Sequence, residues 1–266
     1  MRWQTLALHA LAQGTALARK PFSPRCGLRI LMYHSVGSFV YGDKLGLHTI
    51  SEKLFRQHLD VLSRMRTVPL LPLLVPEVEL SVAITFDDGY ADNLHIAAPR
   101  LAERGIPFTV FVTSDFIRRH ERGFLSSDEL KQLAQQPGAS IGAHGCSHCH
   151  LTRCSDSQLR AELRDSRHYL EDLIGRSVTT LAYPHGFSDR RVRDAALSAG
   201  YQLGVCSRFD INQRSRDPLM LNRCVIVCDD TPDILRQKLS GAWDWYLKKL
   251  LLKGLRLTNL QSIGFR

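Results

Sequence analysis

The chain has 266 residues, 44% hydrophobic and 23% charged, the balance of an ordinary globular protein long enough to bury a core without help from disulfides or metal. Its net charge of +9 belongs to the two ends: residues 1–42 carry Arg2, Arg19, Lys20, Arg25 and Arg29 with no acid, and residues 243–266 carry Lys248, Lys249, Lys253, Arg256 and Arg266 against Asp244, so the middle is neutral. With no nucleic-acid motif and no platform of interleaved basic and aromatic residues, a nucleic-acid partner is excluded, and no stretch approaches the roughly 20 apolar residues of a spanning helix.

Apolar strand-like runs alternate with amphipathic helix-like ones, which predicts a parallel α/β sheet or barrel. "LRILMYH" (28–34) is the first strand. "SEKLFRQHLDVL" follows as a helix, with Ser51 at its N-cap and Phe55, Leu59 and Leu62 on one face. "VAITF" (82–86) is the second clear strand, and a helix around Asn93–Arg104 ends at Gly105. "PFTVFV" (107–112), "SIGAH" (140–144) and "TTLAY" (179–183) are the third, fourth and fifth strands. Between the last two, "SDSQLRAELRDSRHYLEDLIG" carries the strongest helix signal. Ser155 and Gln158 have capping-box spacing, Leu159, Leu163, Leu170 and Leu173 form the apolar stripe, and Gly175 stops the helix. "GYQLGVCS" and "RCVIVC" supply later strands. No internal repeat or linker is apparent. The expected organisation is a basic extension (1–27), one catalytic domain (28–242) and a basic C-terminal segment (243–266).

Two clusters carry chemistry. In "ITFDDGY" a buried strand runs straight into Asp87 and Asp88. Adjacent carboxylates disfavour each other's ionisation, and a bound cation relieves the repulsion; the plainer reading is an Asp-Gly turn at a strand end. In "AHGCSHCH", His144 and His148 stand four apart just after a strand, and two imidazoles with one carboxylate form an open metal set with room for water. A His-rich surface loop is the alternative, as is a structural zinc site built from Cys146, Cys149, Cys224 and Cys228.

Taken in order, "TFDDG", "HGCSH" some fifty-five residues later, and "LAYPHG" (181–186) resemble the motifs of the polysaccharide deacetylases, the NodB-like carbohydrate esterases of family four. The resemblance runs from about residue 28 to residue 227. It implies a distorted (β/α) barrel of about seven parallel strands and a hydrolase that removes N-acetyl groups from amino sugars of a polysaccharide or lipid-linked glycan. It further implies that Asp88, His144 and His148 hold a divalent metal, usually zinc, that Asp87 is the general base, and that Tyr183, Pro184 and His185 lie against substrate, with a backbone N–H near Tyr183 facing the oxyanion. Removal of an O-acetyl or formyl group, and a catalytically inactive glycan-binding module, are the rival readings.

The chain departs from the family pattern twice. Ala182 stands where the third motif usually has arginine, and no histidine follows His185, so the usual late general acid is missing. "ILMYHSV" places His34 directly after the first strand, as in the subgroup acting on poly-N-acetylglucosamine and related exopolysaccharides, and His34 is therefore the expected general acid. Arg223, opening "RCVIVC", is the candidate to replace the arginine and orient Asp87. His150 is a spare ligand, and Tyr90 is expected to pack.

Seven cysteines, an odd number without a regular framework, suit a reducing compartment. The apolar run of residues 1–18 is broken by His9 and Gln13, a poor signal-peptide core. The expectation is a cytoplasmic protein. "WDWYLKKLLLKGLRL" (243–257) reads as a basic amphipathic helix, able to lie on an anionic bilayer or to cover the barrel.

Overall fold

The computed structural model describes residues 26–38, 43, 46–70 and 79–244. Its strands, in chain order, are β1 (Gly27–Tyr33), β2 (Ser35–Val36), β3 (Thr49–Ile50), β4 (Arg66–Thr67), β5 (Leu80–Phe86), β6 (Phe108–Val112), β7 (Ala139–Ala143), β8 (Thr180–Ala182), β9 (Leu203–Val205) and β10 (Cys224–Val225). Seven of them lie side by side in the order β10-β1-β5-β6-β7-β8-β9, every pairing parallel; β4 adds to one end of β5, and β2 pairs with β3 apart from the main sheet. Parallel neighbours need crossovers, which the helices between them supply.

The sheet curls until its edges meet through one segment. Cys224 pairs with Leu31 of β1, while three residues earlier Leu221 exchanges backbone hydrogen bonds with Gly204 and Cys206 around the end of β9. Strands far apart in the order accordingly share an interior. Leu28 and Ile30, Ala83, Phe111, Ala182, and Leu203 with Val205 form one buried cluster. The opposite faces of the same strands, including Leu31, Tyr33, Val82, Ile84, Phe86, Phe108 and Val110, pack outward against helical residues such as Phe55, Leu59, Leu159, Leu163 and Leu170. This is a distorted (β/α) barrel of seven parallel strands. Its bore is narrow: a Cβ on Gly142 would lie 2.4 Å from the Phe111 ring, so β7 approaches that ring only because it lacks a side chain there.

The helix Asp156–Ile174 has the capping box expected of it, Ser155 accepting from the Gln158 amide, and ends on left-handed Gly175. Ser51 likewise caps Glu52–Leu62. The helix expected from Asn93 to Arg104 begins differently, as a π-turn over Asn93–Ala97 that passes into Ala98–Ala102. Of the two ends, the described residues reach only Cys26 and Gly27 at the start and Trp243 and Asp244 at the finish. The remainder of the basic extension and of the amphipathic segment lies outside the described residues. Asp244 is drawn into the fold, where it pairs with buried Arg29 at 2.8 Å.

Candidate metal centre

The site gathers where the strands end, at their C-terminal edge, as in barrels generally. Side chains alternate along β5, so Ala83 and Thr85 face the bore and Asp87, two residues on, continues that row. The chain then turns sharply: Asp88 and Gly89 both have positive φ (73° and 82°), a conformation aspartate tolerates and glycine adopts freely. The turn sends consecutive carboxylates to different partners.

Asp87 meets Arg223. The guanidinium, fully buried, donates to both carboxylate oxygens at 2.6 and 2.7 Å, and also to the Thr85 hydroxyl (3.2 Å) and the Cys206 carbonyl (3.3 Å). Burial alone would raise the Asp87 carboxyl; Arg223 instead holds it well below the usual carboxylate range. Asp88 has no such cation. Burial pushes its carboxyl upward, and neighbouring Asp87 adds to it.

His144 and His148 face Asp88. His144 Nε2 lies 3.5 Å from Asp88 Oδ1 and 3.9 Å from Asp87 Oδ2, and His148 Nε2 lies 3.3 Å from Asp88 Oδ1. The ligating atoms of Asp88, His144 and His148 all fall within 4.8 Å of one another. His144 Nδ1 is 2.8 Å from the Ala182 carbonyl, which can only accept, so that nitrogen carries the proton and Nε2 presents a lone pair to the site. Asp88 Oδ1 is buried and has no hydrogen-bond partner. A buried carboxylate oxygen and a bare imidazole nitrogen facing each other are mutually repulsive, and a divalent cation between them fits that donor set.

The strain is local to this site: of the four non-glycine residues with positive φ among the described residues, three are Asp88, His148 and His185. Among the described residues no other group of three or more His, Cys, Asp or Glu side chains gathers in this way. The alternative zinc site is therefore not assembled. Cys224 is buried beside Arg29, Cys228 bonds Asp229, Cys146 stays on the His144–His148 loop, and Cys149, just beyond it, lies against Cys154. His150 stacks on His185, ring centroids 3.9 Å apart, and is not in the cluster.

His34 leaves β1 on the same edge. Its Nδ1 is buried without a partner, its carbonyl accepts from Asn93, and its ring lies 4.3 Å from that of His48. Burial first, and His48 beside it, hold its imidazole well below the usual histidine range. Of the "YPHG" residues, His185 is half-buried and its Nε2 lies 3.0 Å from the His148 carbonyl. Tyr183 and Pro184 are buried; the Tyr183 hydroxyl donates to the Leu219 carbonyl and its N–H to the Val205 carbonyl. Two neighbours, Thr85 and His48, were not assigned to the site from the sequence. Thr85 shares Arg223 and was legible from its alternation with Asp87. Tyr90 is buried and stacks on Phe124, ring centroids 4.6 Å apart. His48 carries no motif at all.

Residues 76–204 match the family profile described as polysaccharide deacetylase. The chain is 31% identical over 204 residues to YxkH of Bacillus subtilis, a protein named for the polysaccharide deacetylases, across 74% of this chain and 70% of that one. Among solved structures it superposes on the deacetylase PplD of Streptococcus pyogenes, in complex with acetate, with a TM-score of 0.71 at 24% identity, covering 80% of this chain and 98% of PplD. It also superposes on IcaB from Ammonifex degensii with a TM-score of 0.67 at 25% identity, covering 82% and 97%.

Proposed function

The chain belongs to the polysaccharide deacetylase family, and we propose that within it the protein is a metal-dependent hydrolase removing N-acetyl groups from amino sugars of a polysaccharide or lipid-linked glycan. The observation that carries this reading is the division between two adjacent carboxylates. Asp87 is neutralised by Arg223, whereas Asp88 turns an unpartnered oxygen toward two imidazoles.

Asp88, His144 and His148 would hold a divalent cation, a nitrogen and oxygen set that suits zinc, cobalt, nickel or manganese, and it would supply Lewis acidity to the acyl carbonyl and to the attacking water. Asp87 is the general base. Arg223 keeps it ionised and fixes its orientation, so a proton arriving from water finds an anionic acceptor already aimed. His34 is the general acid, positioned by the Asn93 contact to its carbonyl and delivering a proton to the departing amine. That assignment favours an amide substrate: an amine leaving group must be protonated to depart, a weaker demand for an alkoxide. His185, half-buried beside the His148 carbonyl, is the residue proposed to touch the sugar. The odd cysteine count and the basic ends support a cytoplasmic enzyme that meets an anionic membrane surface.

The test is metal content together with acetate release from an N-acetylated chito-oligosaccharide, with an O-acetylated xylo-oligosaccharide for comparison, on wild type and Asp88→Ala. One bound metal and metal-dependent acetate from the chito-oligosaccharide, both lost in the variant, is the expected result. Metal with acetate from the O-acetylated sugar alone would move the reading to an esterase, and no metal in either protein would remove the mechanism.

A further inference from the structure

The loop that joins the two imidazoles is built around a side chain from elsewhere in the chain. Glu162 belongs to the helix Asp156–Ile174, whose phase is set by buried Leu159 and Leu163, and this turns the carboxylate toward residues 145–147. Its Oε2 accepts from the backbone N–H groups of Cys146 (2.7 Å) and Ser147 (3.0 Å), and its Oε1 accepts from the Ser147 hydroxyl (2.6 Å). The Gly145 and Cys146 carbonyls are held by backbone: Ser114 N–H donates to the first at 3.2 Å and Asp115 N–H to the second at 2.9 Å. Gly145, with φ of 73°, lets the chain pass close over the carboxylate, for a Cβ there would lie 3.1 Å from Glu162 Oε2. His148 closes the turn in a left-handed conformation of its own, φ 61°.

We propose that Glu162 is the positioning residue of the metal centre: its carboxylate fills the anion-binding concavity made by successive N–H groups between His144 and His148, and so sets the separation and aim of the two Nε2 atoms toward Asp88. The inference rests on the metal-centre reading above and concerns the protein before any cation arrives. Without Glu162 two loop N–H groups lose their acceptor. The strained turn at His148 then has less to hold it, and the imidazoles must be gathered by the cation itself, at the expense of affinity.

The experiment measures Zn²⁺ affinity of the metal-stripped full chain by competition with a chromophoric chelator, alongside amide hydrogen exchange at Cys146 and Ser147 in the metal-free protein. Glu162→Ala is expected to weaken Zn²⁺ by roughly 10–100-fold, the range for loss of an outer-shell partner, with faster exchange at both amides. Glu162→Gln, whose amide oxygen still accepts from two N–H groups while its NH₂ donates to the Ser147 hydroxyl, should recover most of the affinity. A helix-packing role would lower the melting temperature of Glu162→Ala while leaving affinity and the two exchange rates at their wild-type values, and that result overturns the proposal. Should the alanine variant not fold, Glu162→Asp keeps the charge and withdraws the carboxylate by one methylene; weaker Zn²⁺ binding is again expected, and wild-type affinity there overturns it. Asp88→Ala run in parallel separates the two ideas. If it binds Zn²⁺ as wild type does, the metal centre has been misplaced, while the exchange rates still report whether Glu162 holds the loop.

Discussion

Replacing Arg223 by methionine isolates what the buried ion pair contributes. Methionine fills much of the same volume but leaves Asp87, itself only 3% exposed, without a counter-charge. The nearby imidazoles of His144 and His34 cannot compensate, since burial lowers both below the usual histidine range. Removing one member of a buried pair costs about 3–5 kcal/mol. At about 2–4 °C per kcal/mol for a large domain, the melting temperature should fall by about 6–20 °C. The folded Asp87 carboxyl lies below its unfolded value, so the pair's contribution is fully present above the unfolded carboxylate pKa of about 3.9 and disappears as pH falls below it; a melt at pH 7 reads all of it. Adding Asp87→Asn removes the stranded charge, and the double variant should recover part of the loss, with a coupling of up to about 3 kcal/mol. Arg223→Lys keeps the charge without the two-pronged fork and should fall between wild type and methionine in both stability and turnover. The assays are thermal melts of the five metal-free proteins and acetate release by their metal-loaded forms. A methionine variant within about 1 kcal/mol of wild type, or a cycle with no coupling, would refute the argument that Arg223 is what keeps Asp87 ionised and aimed.

Two further outcomes are expected. His34→Ala should lower kcat by roughly 10²–10⁴-fold with metal content unchanged, as befits a proton donor that is not a ligand; unaltered turnover removes His34 from the mechanism. His58 is buried, its Nε2 2.5 Å from the Asp230 carbonyl and its Nδ1 3.1 Å from the Tyr33 hydroxyl, which makes it a neutral imidazole with both nitrogens occupied. Burial lowers its pKa, so the unfolded chain takes up the proton first, and stability should decline as pH falls below the unfolded value of about 6.5. In urea unfolding of the metal-free protein at pH 7.5 and 5.5, His58→Gln should lose less stability on acidification than wild type; equal losses would show that His58 is not the group responsible.

The chemistry-bearing positions were legible because each is a local pattern. Asp87 and Asp88 follow a buried strand directly, His144 and His148 stand four apart after another, and the helix Asp156–Ile174 announces both its ends through Ser155, Gln158 and Gly175. Alternation of strand and helix carried the fold class, since a two-residue and a 3.6-residue period are written into neighbouring side chains. The helices Ser127–Ala134, Arg190–Ser198 and Pro232–Leu239 passed unremarked, being short and largely polar.

What lay between those positions needed the tertiary structure. Arg223 joins Asp87 across 136 residues because Leu221–Val225 is the segment that bridges the two edges of the curled sheet, and no local spacing encodes which residue of that bridge points inward. Glu162 lies fourteen residues beyond His148 on a helix that sequence reading treats as packing, and only the crossing of that helix over the loop reveals the contact. By itself the sequence determined which residues can do chemistry, because reactivity and secondary-structure period are properties of side chains and their near neighbours. Only the tertiary structure decided which of them hold the others in place, because a buried charge is oriented by whatever the fold brings within 3 Å of it, however distant in the chain.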